Sequence, residues 1–298
     1  MATVVRRIGA TRHRRAALYV HGWNDYFFHA HVVDWFDAQG YTMYGLDLRR
    51  YGRSLGEGQL AGYVDSLEDY FDELDAALEL IEAAHDQVVV VAHSTGGLTA
   101  SLWVAQRPGR LAALVLNSPW FDLWGPAGLA TALRPVLGTL SRRDPYAPLP
   151  LPEGDPVYAR ALHRRWGGEW EYSLELKSSA PVPIRVGWLR AVLKGQAQVA
   201  KGLEIDCPVF VATGTRSWFG RRFGKQARST DVVLDVERIT AQAWRLGRVV
   251  TIVRIPGGVH DLFLSAPRAR DQLFDDLGVW LGAYVRTEGG GTRGNPGR

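Results

Sequence analysis

Ser94 has sequence neighbours that suit a nucleophile. It lies two positions after the end of the apolar, strand-like run Val88–Ala92 and directly before a segment of helical character. A sharp strand-to-helix turn strains the backbone of its central residue, so the positions two before and two after it must be small. Those positions hold Ala92 and Gly96. The pattern predicts a serine hydroxyl displayed at the end of a strand; the alternative is an ordinary helix N-cap.

A serine nucleophile needs a base and an acid that orients the base. His260 lies on a glycine-rich loop after the last strand pattern, where open α/β sheets place catalytic groups. The chain order serine, acid, histidine puts the acid between Ser94 and His260. Asp231 and Asp235 are the candidates, and Asp235 also suits a helix cap.

Two backbone N–H groups are candidates for binding a developing oxyanion. Gly22 follows the first clear strand and lets the backbone bend, so that the N–H of Trp23 can point toward the edge of the sheet. The N–H of Thr95, directly after Ser94, points toward the same place from a helix N-terminus. Two such donors form an oxyanion hole, in which each donor can lower the activation barrier by roughly 3 kcal/mol.

Strand and helix patterns alternate along the chain and predict a mostly parallel α/β sheet. The strand patterns are continuous apolar runs, as expected for strands covered on both faces. They lie at Ala16–His21, Tyr41–Leu48, Val88–His93, Leu111–Asn117, Pro208–Thr213 and Val249–Pro256. Helices are predicted over about Asp65–Ala84, directly after Ser94, and near Leu273–Tyr284, with Asp65 and Glu68 as a capping box.

Composition excludes several classes of protein. The chain has 298 residues, of which 46% are hydrophobic and 22% charged, typical of a globular protein. No transmembrane segment or secretory signal is visible, so we expect a soluble, cytoplasmic protein. The single cysteine, Cys207, excludes an internal disulfide and a cysteine zinc site. The net charge of +4 comes without a nucleic-acid-binding motif, so no nucleic-acid partner is expected.

The chain resembles the α/β-hydrolase superfamily, in its monoacylglycerol-lipase-like and serine-aminopeptidase-like branch. The resemblance covers about Ala16 to Val285. Its motifs, in the family's order, are the loop His21-Gly22, the turn Asp47-Leu-Arg-Arg-Tyr-Gly-Arg-Ser54, the Ser94 elbow and the loop Gly257-Gly-Val-His260. We interpret the Asp47 turn as structural. The segment before Ala16 is short for the family's opening hairpin, so fewer edge strands are expected.

The resemblance implies a domain organisation and identifies which aspartate is expected to be the catalytic acid. It implies an α/β-hydrolase core over residues 1–119 and 206–286 and a helical cap over 120–205, while the glycine-rich stretch 287–298 is expected to be a disordered tail. In the family pattern the first of two aspartates is the catalytic acid, which falls on Asp231. The loop before it, from Gly214 to Thr230, is unusually long.

The expected function is hydrolysis of a carboxylic ester by Ser94, His260 and Asp231 through an acyl-enzyme, without a metal or organic cofactor. The expected partner is a small ester with an apolar acyl or aryl group, lying beneath a cap rich in tryptophan. An aminopeptidase-type serine peptidase is the alternative, although the interval 120–205 carries 8 acidic and 11 basic residues and so lacks an acidic excess. A second, less favoured alternative is a non-hydrolytic binding protein with the same fold. The sequence indicates no oligomeric state.

Overall fold

A seven-stranded sheet forms the centre of the protein. The computed structural model describes residues 1–9, 12–126, 128–150, 155–180 and 182–285, so the expected tail over 287–298 lies outside the described residues. The strands are β1 (Thr3–Arg6), β2 (Arg15–Val20), β3 (Tyr41–Asp47), β4 (Gln87–His93), β5 (Ala113–Asn117), β6 (Val209–Gly214) and β7 (Val250–Ile255). Their order in the sheet is β1-β3-β2-β4-β5-β6-β7.

The strands from β2 to β7 are parallel, which confirms the predicted mostly parallel sheet. The central strand β4 is buried from Val88 to His93, as its continuous apolar sequence requires. Each parallel strand before β7 is followed by a crossover that returns to the same end of the sheet, and helices lie in these crossovers. The helices pack on both faces of the sheet and form a separate core cluster on each face. All carboxyl ends of the parallel strands therefore meet at one edge, where Ser94 follows β4 directly.

One strand was missed by sequence analysis. The segment Thr3–Arg6 forms β1, which pairs antiparallel with β3 and places Val4 opposite Leu46. Its β-branched residues Thr3, Val4 and Val5 favour a strand, but the run has only four residues, all half-buried, and no alternation of apolar and polar side chains. It is therefore a weak strand signal. An edge strand therefore does lie before Ala16.

Eight α-helices are described: α1 (Ala30–Ala38), α2 (Phe71–Glu82), α3 (Ser94–Val104), α4 (Leu129–Arg143), α5 (Val157–Leu162), α6 (Val186–Lys201), α7 (Val236–Ala243) and α8 (Pro267–Tyr284). The helix predicted near residue 65 begins as a 3-10 turn over Leu67–Tyr70 and continues as α2. Its capping box consists of Ser66 and Asp69, one residue later than predicted.

The segment between β5 and β6 contains α4, α5 and α6 and, in its described residues, no strand of the sheet. Helix α6 contacts the core closely through Gly195, where an added Cβ would lie 2.9 Å from the side chains of Leu102 and Leu67. His163 of this segment is not solvated. Its side chain is buried and hydrogen-bonds the backbone of Arg165 and Tyr172.

The turn after β3 is structural, as predicted. The buried Asp47 carboxylate accepts hydrogen bonds from the backbone N–H groups of Phe27 and Arg53, at 2.9 and 3.0 Å. Gly52 has φ +47° and would place a Cβ 2.7 Å from the Asp47 carboxylate, so only glycine fits this position. The Ser54 hydroxyl donates to the Asp47 carbonyl at 2.7 Å. These contacts hold the turn below the edge of the sheet.

Gly96 allows α3 to begin in contact with the end of β2. A Cβ on Gly96 would lie 2.2 Å from the carbonyl oxygen of His21 and 2.8 Å from that of Val20. Both of these atoms belong to backbone, which cannot move aside like a flexible side chain. The first turn of α3 is thus seated directly against the chain that leads to Trp23.

We predict that Gly96→Ala lowers the free energy of unfolding by about 2 kcal/mol or more, because the added methyl group overpacks rigid backbone. Gly138→Ala is the matched control: Gly138 also lies inside a helix, α4, and has nothing within 4 Å of its added Cβ. This control should be neutral or stabilise by up to ~1 kcal/mol. Urea unfolding of both variants measures the difference, and equal effects would contradict the close contact.

Candidate active site

Ser94 lies at the sharp turn between β4 and α3. Its φ is +53°, in the left-handed region that non-glycine residues rarely adopt. The strain is tolerated because the flanking strand and helix are fully packed, with Ala92 and Gly96 too small to obstruct the turn. The turn presents the Ser94 side chain to a cavity at the carboxyl edge of the sheet.

His260 approaches the serine from the loop after β7. Its Nε2 lies 3.0 Å from the Oγ of Ser94, within hydrogen-bond distance. Its Nδ1 lies 2.9 Å from Oδ2 of Asp231. The imidazole is 3% exposed and borders the same cavity. A ring held in this way, with Nδ1–H donating to a carboxylate, has Nε2 free to accept the hydroxyl proton.

Asp231 is completely buried and has its second oxygen occupied. Oδ1 accepts hydrogen bonds from the N–H groups of Val233 and Leu234, at 2.7 and 2.8 Å. Its backbone N–H donates to the carbonyl of Arg216, and its carbonyl accepts from the N–H of Trp218. The long loop therefore closes on itself, and its end lies beside its beginning at the edge of β6.

Asp235, the other candidate acid, is the N-cap of α7. Its Oδ1 accepts a hydrogen bond from the N–H of Glu237 at 3.0 Å, and its other oxygen lies 3.6 Å from Arg238. The structure therefore brings Asp231, and not Asp235, to His260. This arrangement agrees with the choice that the family resemblance favours.

The two expected oxyanion donors belong to chain segments next to the serine. An added Cβ on Gly22 would be 2.9 Å from the Cβ of Ser94, so the chain before Trp23 passes directly beside the nucleophile. Thr95 is the second residue of α3, and the first four N–H groups of a helix have no acceptor within it. Both positions are compatible with donation toward an oxygen on the acyl carbon.

His93, which directly precedes Ser94, is buried and also borders the cavity. It is 2% exposed and hydrogen-bonds the carbonyl of Asn117 at 3.0 Å. Its ring also borders the cavity and lies 4.7 Å from the ring of His260. Burial lowers the pKa of His93 to about 4, so the ring is neutral at neutral pH and places no positive charge beside the base.

A second histidine–aspartate pair includes Asp261, the residue directly after His260. His29 Nε2 lies 2.8 Å from Asp261, and both side chains are fully buried. Asp261 also accepts from the Asn117 side chain at 2.7 Å, and the Asn117 oxygen accepts from the N–H of Leu262. Sequence analysis missed this network. Asp261 directly follows His260, but nothing in the sequence indicates a partner 232 residues away.

A cavity of about 370 Å³ opens above the serine and histidine. Its apolar lining includes Val157, Ala159, Val232 and Val233. Its polar lining comes from the β2 loop and from the segment between β5 and β6, and includes Asn24, Asp25, Asp155, Tyr158, Tyr172, Lys177, Ser178 and Ser179.

The tryptophans of the segment between β5 and β6 do not border this cavity. Sequence analysis expected that some of the five tryptophans of this segment line the acyl group while others only pack the cap: Trp120, Trp124, Trp166, Trp170 and Trp188. None is among the cavity's described lining residues, so the expectation is wrong for this cavity. Trp188 is 1% exposed and packs on Trp23, with ring centroids 3.7 Å apart. Trp23, from the β2 loop, borders the cavity instead.

Three buried groups lie close enough to suggest a metal site. Possible ligand atoms of Asp25, His93 and Asp261 are within 4.8 Å of one another. However, Asp25 forms an ion pair with Lys177 at 2.8 Å, and Asp261 is hydrogen-bonded to His29. A divalent cation would lie beside an ammonium group, so this donor set does not fit a metal ion.

The sheet topology and the serine elbow define the protein as an α/β-hydrolase. Residues 11–265 match the family described as "Serine aminopeptidase, S33", and the chain belongs to that family. No helix in the described part of the chain has the length and apolar character needed to cross a membrane.

Two curated relatives have similar sequences. The chain is 28% identical over 262 residues to the monoacylglycerol lipase of Mycolicibacterium smegmatis, covering 86% of this chain and 83% of that protein. It is 29% identical over 106 residues to the phospholipase YtpA of Bacillus subtilis, covering 35% of this chain and 40% of that protein.

Solved structures share the fold. The monoacylglycerol lipase of Paleococcus ferrophilus superimposes with a TM-score of 0.68 at 19% identity, over 95% of this chain and 98% of that one. The monoglyceride lipase of Saccharomyces cerevisiae gives a TM-score of 0.67 at 16% identity, over 96% of this chain and 92% of that one.

We predict that Asp231→Asn lowers kcat by roughly 10³–10⁴-fold. The N–H groups of Val233 and Leu234 would keep the amide oxygen in the Oδ1 position, so the amide NH2 would donate to Nδ1 of His260 and favour the wrong tautomer. Asp235→Asn is the matched control, since asparagine caps a helix about as well as aspartate. It should leave kcat within about twofold of the wild-type value. Steady-state kinetics on one activated ester compare the two, and an equal loss in both variants would contradict this assignment.

Proposed function

We propose that the protein is a serine hydrolase that cleaves carboxylic esters through an acyl-enzyme. One observation carries the proposal: the side chains of Ser94, His260 and Asp231 form a hydrogen-bonded chain, with contacts of 3.0 and 2.9 Å, at a cavity. The names of the similar proteins, several of which are acylglycerol lipases, support an ester as the substrate.

In the first half of the reaction, His260 Nε2 takes the hydroxyl proton as Ser94 Oγ attacks the acyl carbon. Negative charge develops on the carbonyl oxygen, where the N–H groups of Trp23 and Thr95 stabilise it. The buried carboxylate of Asp231 stabilises the imidazolium. His260 then gives the proton to the alcohol oxygen, which leaves, and the acyl group remains on Ser94.

In the second half, a water molecule takes the place of the alcohol. His260 accepts a proton from this water as its oxygen attacks the acyl carbon, and the same donors stabilise the second oxyanion. When the intermediate collapses, His260 returns the proton to the Ser94 oxygen and the carboxylic acid is released. Every proton transfer uses the same imidazole nitrogen, so the reaction requires no cofactor.

The charges at the cavity favour an ester over the substrate of an aminopeptidase. An aminopeptidase must bind the cationic amine of a peptide N-terminus, which calls for an unpaired carboxylate. Asp25 is already paired with Lys177, and Asp155 with Arg160 at 2.7 Å. A second ammonium group at this end of the cavity would be repelled by Lys177.

We predict that a fluorophosphonate probe labels the wild-type protein and fails to label Ser94→Ala, because the probe reacts with an activated serine hydroxyl. Ser179→Ala is the matched control: Ser179 borders the same cavity but contacts neither His260 nor Asp231 in the described hydrogen bonds, so its removal should leave labelling intact. Labelling is read by intact-protein mass spectrometry. Equal labelling of wild type and Ser94→Ala would exclude the proposed nucleophile.

We further predict that kcat/KM for p-nitrophenyl esters rises from acetyl to longer acyl groups by up to about fourfold per methylene, until the apolar wall is filled. Val157, Val232 and Val233 provide that wall. Aminoacyl p-nitroanilides, tested in parallel, should be cleaved far more slowly than the esters. A preference for the anilides would favour the peptidase instead.

A further inference from the structure

The loop that follows β2, residues 22–26, is held by the segment between β5 and β6. This loop carries the N–H of Trp23, one of the two proposed oxyanion donors. Each of the four residues from Trp23 to Tyr26 contacts a different residue of that segment, and the partners are, in the same order, Trp188, Ser178, Lys177 and Ser173. The proposed reaction assigns no part to these four contacts.

The central contact is an ion pair. Nζ of Lys177 lies 2.8 Å from Oδ1 of Asp25, and the two side chains are only 5% and 3% exposed. The same carboxylate oxygen accepts a hydrogen bond from the backbone N–H of Tyr26 at 2.9 Å, so Asp25 also fixes the backbone of its own loop. Water screens a buried pair weakly, and removal of one partner leaves an unpaired charge in the interior. The position of the loop is therefore tied to that of Lys177.

A hydrogen bond lies on each side of this ion pair. The Asn24 side chain donates from Nδ2 to the carbonyl of Ser178 at 2.8 Å, and the N–H of Ser173 donates to the Tyr26 hydroxyl at 2.9 Å. The φ of Asn24 is +50°, in the left-handed region, which asparagine adopts more readily than most residues. The unusual backbone directly after Trp23 is thus held by a bond to the other segment.

The ring of Trp23 packs on that segment too. Its centroid lies 3.7 Å from that of Trp188, a residue of α6 that is 1% exposed and belongs to the main core cluster. A second contact, to the ring of Tyr51, has the centroids 5.8 Å apart. Because Trp188 is fully packed, the Trp23 ring is held as firmly as α6 itself.

The two proposed donors therefore depend on different parts of the molecule. The N–H of Thr95 belongs to the first turn of α3, which is seated against the end of β2. The N–H of Trp23 belongs to an irregular loop, and loops move more than helices and strands unless they are anchored. An oxyanion donor acts by being in place before charge develops, and a displacement of about 1 Å can lower the rate on the order of 100-fold.

We propose that Lys177 is a positioning residue: through Asp25 it sets the position of the Trp23 N–H, and Asn24 and Tyr26 assist it. This inference rests on the proposed ester hydrolysis and deepens it, because the segment between β5 and β6 then completes the oxyanion hole as well as bordering the cavity. Movement of this segment away from the sheet would weaken the oxyanion hole.

Single variants test the proposal with p-nitrophenyl butanoate. Lys177→Met keeps the length of the side chain and removes the ammonium; it should lower kcat on the order of 10-fold to 100-fold and leave KM within about twofold. Tyr26→Phe removes only the hydroxyl that Ser173 contacts and should lower kcat by about threefold to tenfold. Tyr26 is not among the described lining residues of the cavity, so lost contact with the substrate does not explain that effect.

Lys194→Met is the matched control. It also breaks an ion pair between α6 and the core, from Lys194 to Glu68 at 3.4 Å, but this pair does not touch the loop after β2. Its kcat should stay within about twofold of the wild-type value. Urea unfolding verifies that each variant is folded under the conditions of the assay.

A double variant separates positioning from charge balance. Lys177→Met leaves the carboxylate of Asp25 unpaired, and Lys177→Met with Asp25→Asn removes that charge as well. We expect kcat to stay low in the double variant, because no attraction then joins the loop to the other segment. Recovery of the wild-type kcat would mean that the ion pair only balances charge, and would overturn the proposal.

A trifluoromethyl ketone tests the oxyanion hole itself. The Ser94 oxygen bonds to the carbonyl carbon, the hydroxyl proton passes to His260, and the former carbonyl oxygen becomes an anion in the place of the oxyanion. Its inhibition constant should rise in Lys177→Met and in Tyr26→Phe by about the same factor by which kcat/KM falls. In Lys194→Met it should not change.

The outcomes separate this inference from the function on which it rests. If folded Lys177→Met keeps the wild-type kcat, or loses activity while the ketone still inhibits as well as before, Lys177 does not position the donor and ester hydrolysis stands. If Lys177→Met does not fold, Tyr26→Phe decides by the same criteria. If the wild-type protein neither cleaves the ester nor binds the ketone, the proposed function itself fails.

Discussion

The close contact between the start of α3 and the end of β2 is the constraint on which the site depends. Gly96 lies against the carbonyl of His21, and Gly22 lies against Ser94, so two chain segments meet with no side chain between them. This contact flanks Ser94, whose φ is +53°, and places the chain before Trp23 beside the start of α3. The proposed nucleophile and the two proposed oxyanion donors would therefore share a single packing contact and need no reorganisation during the reaction.

The proposed base, His260, is positioned by a different kind of interaction. His260 is on a loop, and loops move more than strands unless they are anchored. Asp261 anchors this one through His29 and Asn117, in a network that is fully buried and hydrogen-bonded on both carboxylate oxygens. Burial makes each of these bonds costly to break. The imidazole therefore keeps its distance from Ser94 even though no regular element carries it.

The sequence predicted the features that depend on residues close together in the chain, and it did not predict the contacts between residues far apart in the chain. The sheet and the Ser94 elbow follow from continuous apolar runs and small residues at fixed spacing, and both could be predicted. The edge strand Thr3–Arg6 was missed because a run of four half-buried residues without alternation is a weak signal, even though three of them are β-branched. The partner of Asp261 and the ion pair between Asp25 and Lys177 join residues far apart in the chain, and only the fold brings them together.

The long loop before Asp231 shows how an insertion can leave a site undisturbed. Its two ends are hydrogen-bonded to each other, at Arg216 and Trp218 on one side and Asp231 on the other, so its length does not shift the acid. The interior of the loop instead contacts the segment between β5 and β6: the N–H of Phe223 donates to Asp155, and Arg160 lies over the Phe223 ring. Asp155 and its neighbours border the cavity, so the loop that leads to Asp231 also contacts part of the cavity lining. One loop thus joins the proposed acid to the residues that surround the proposed substrate.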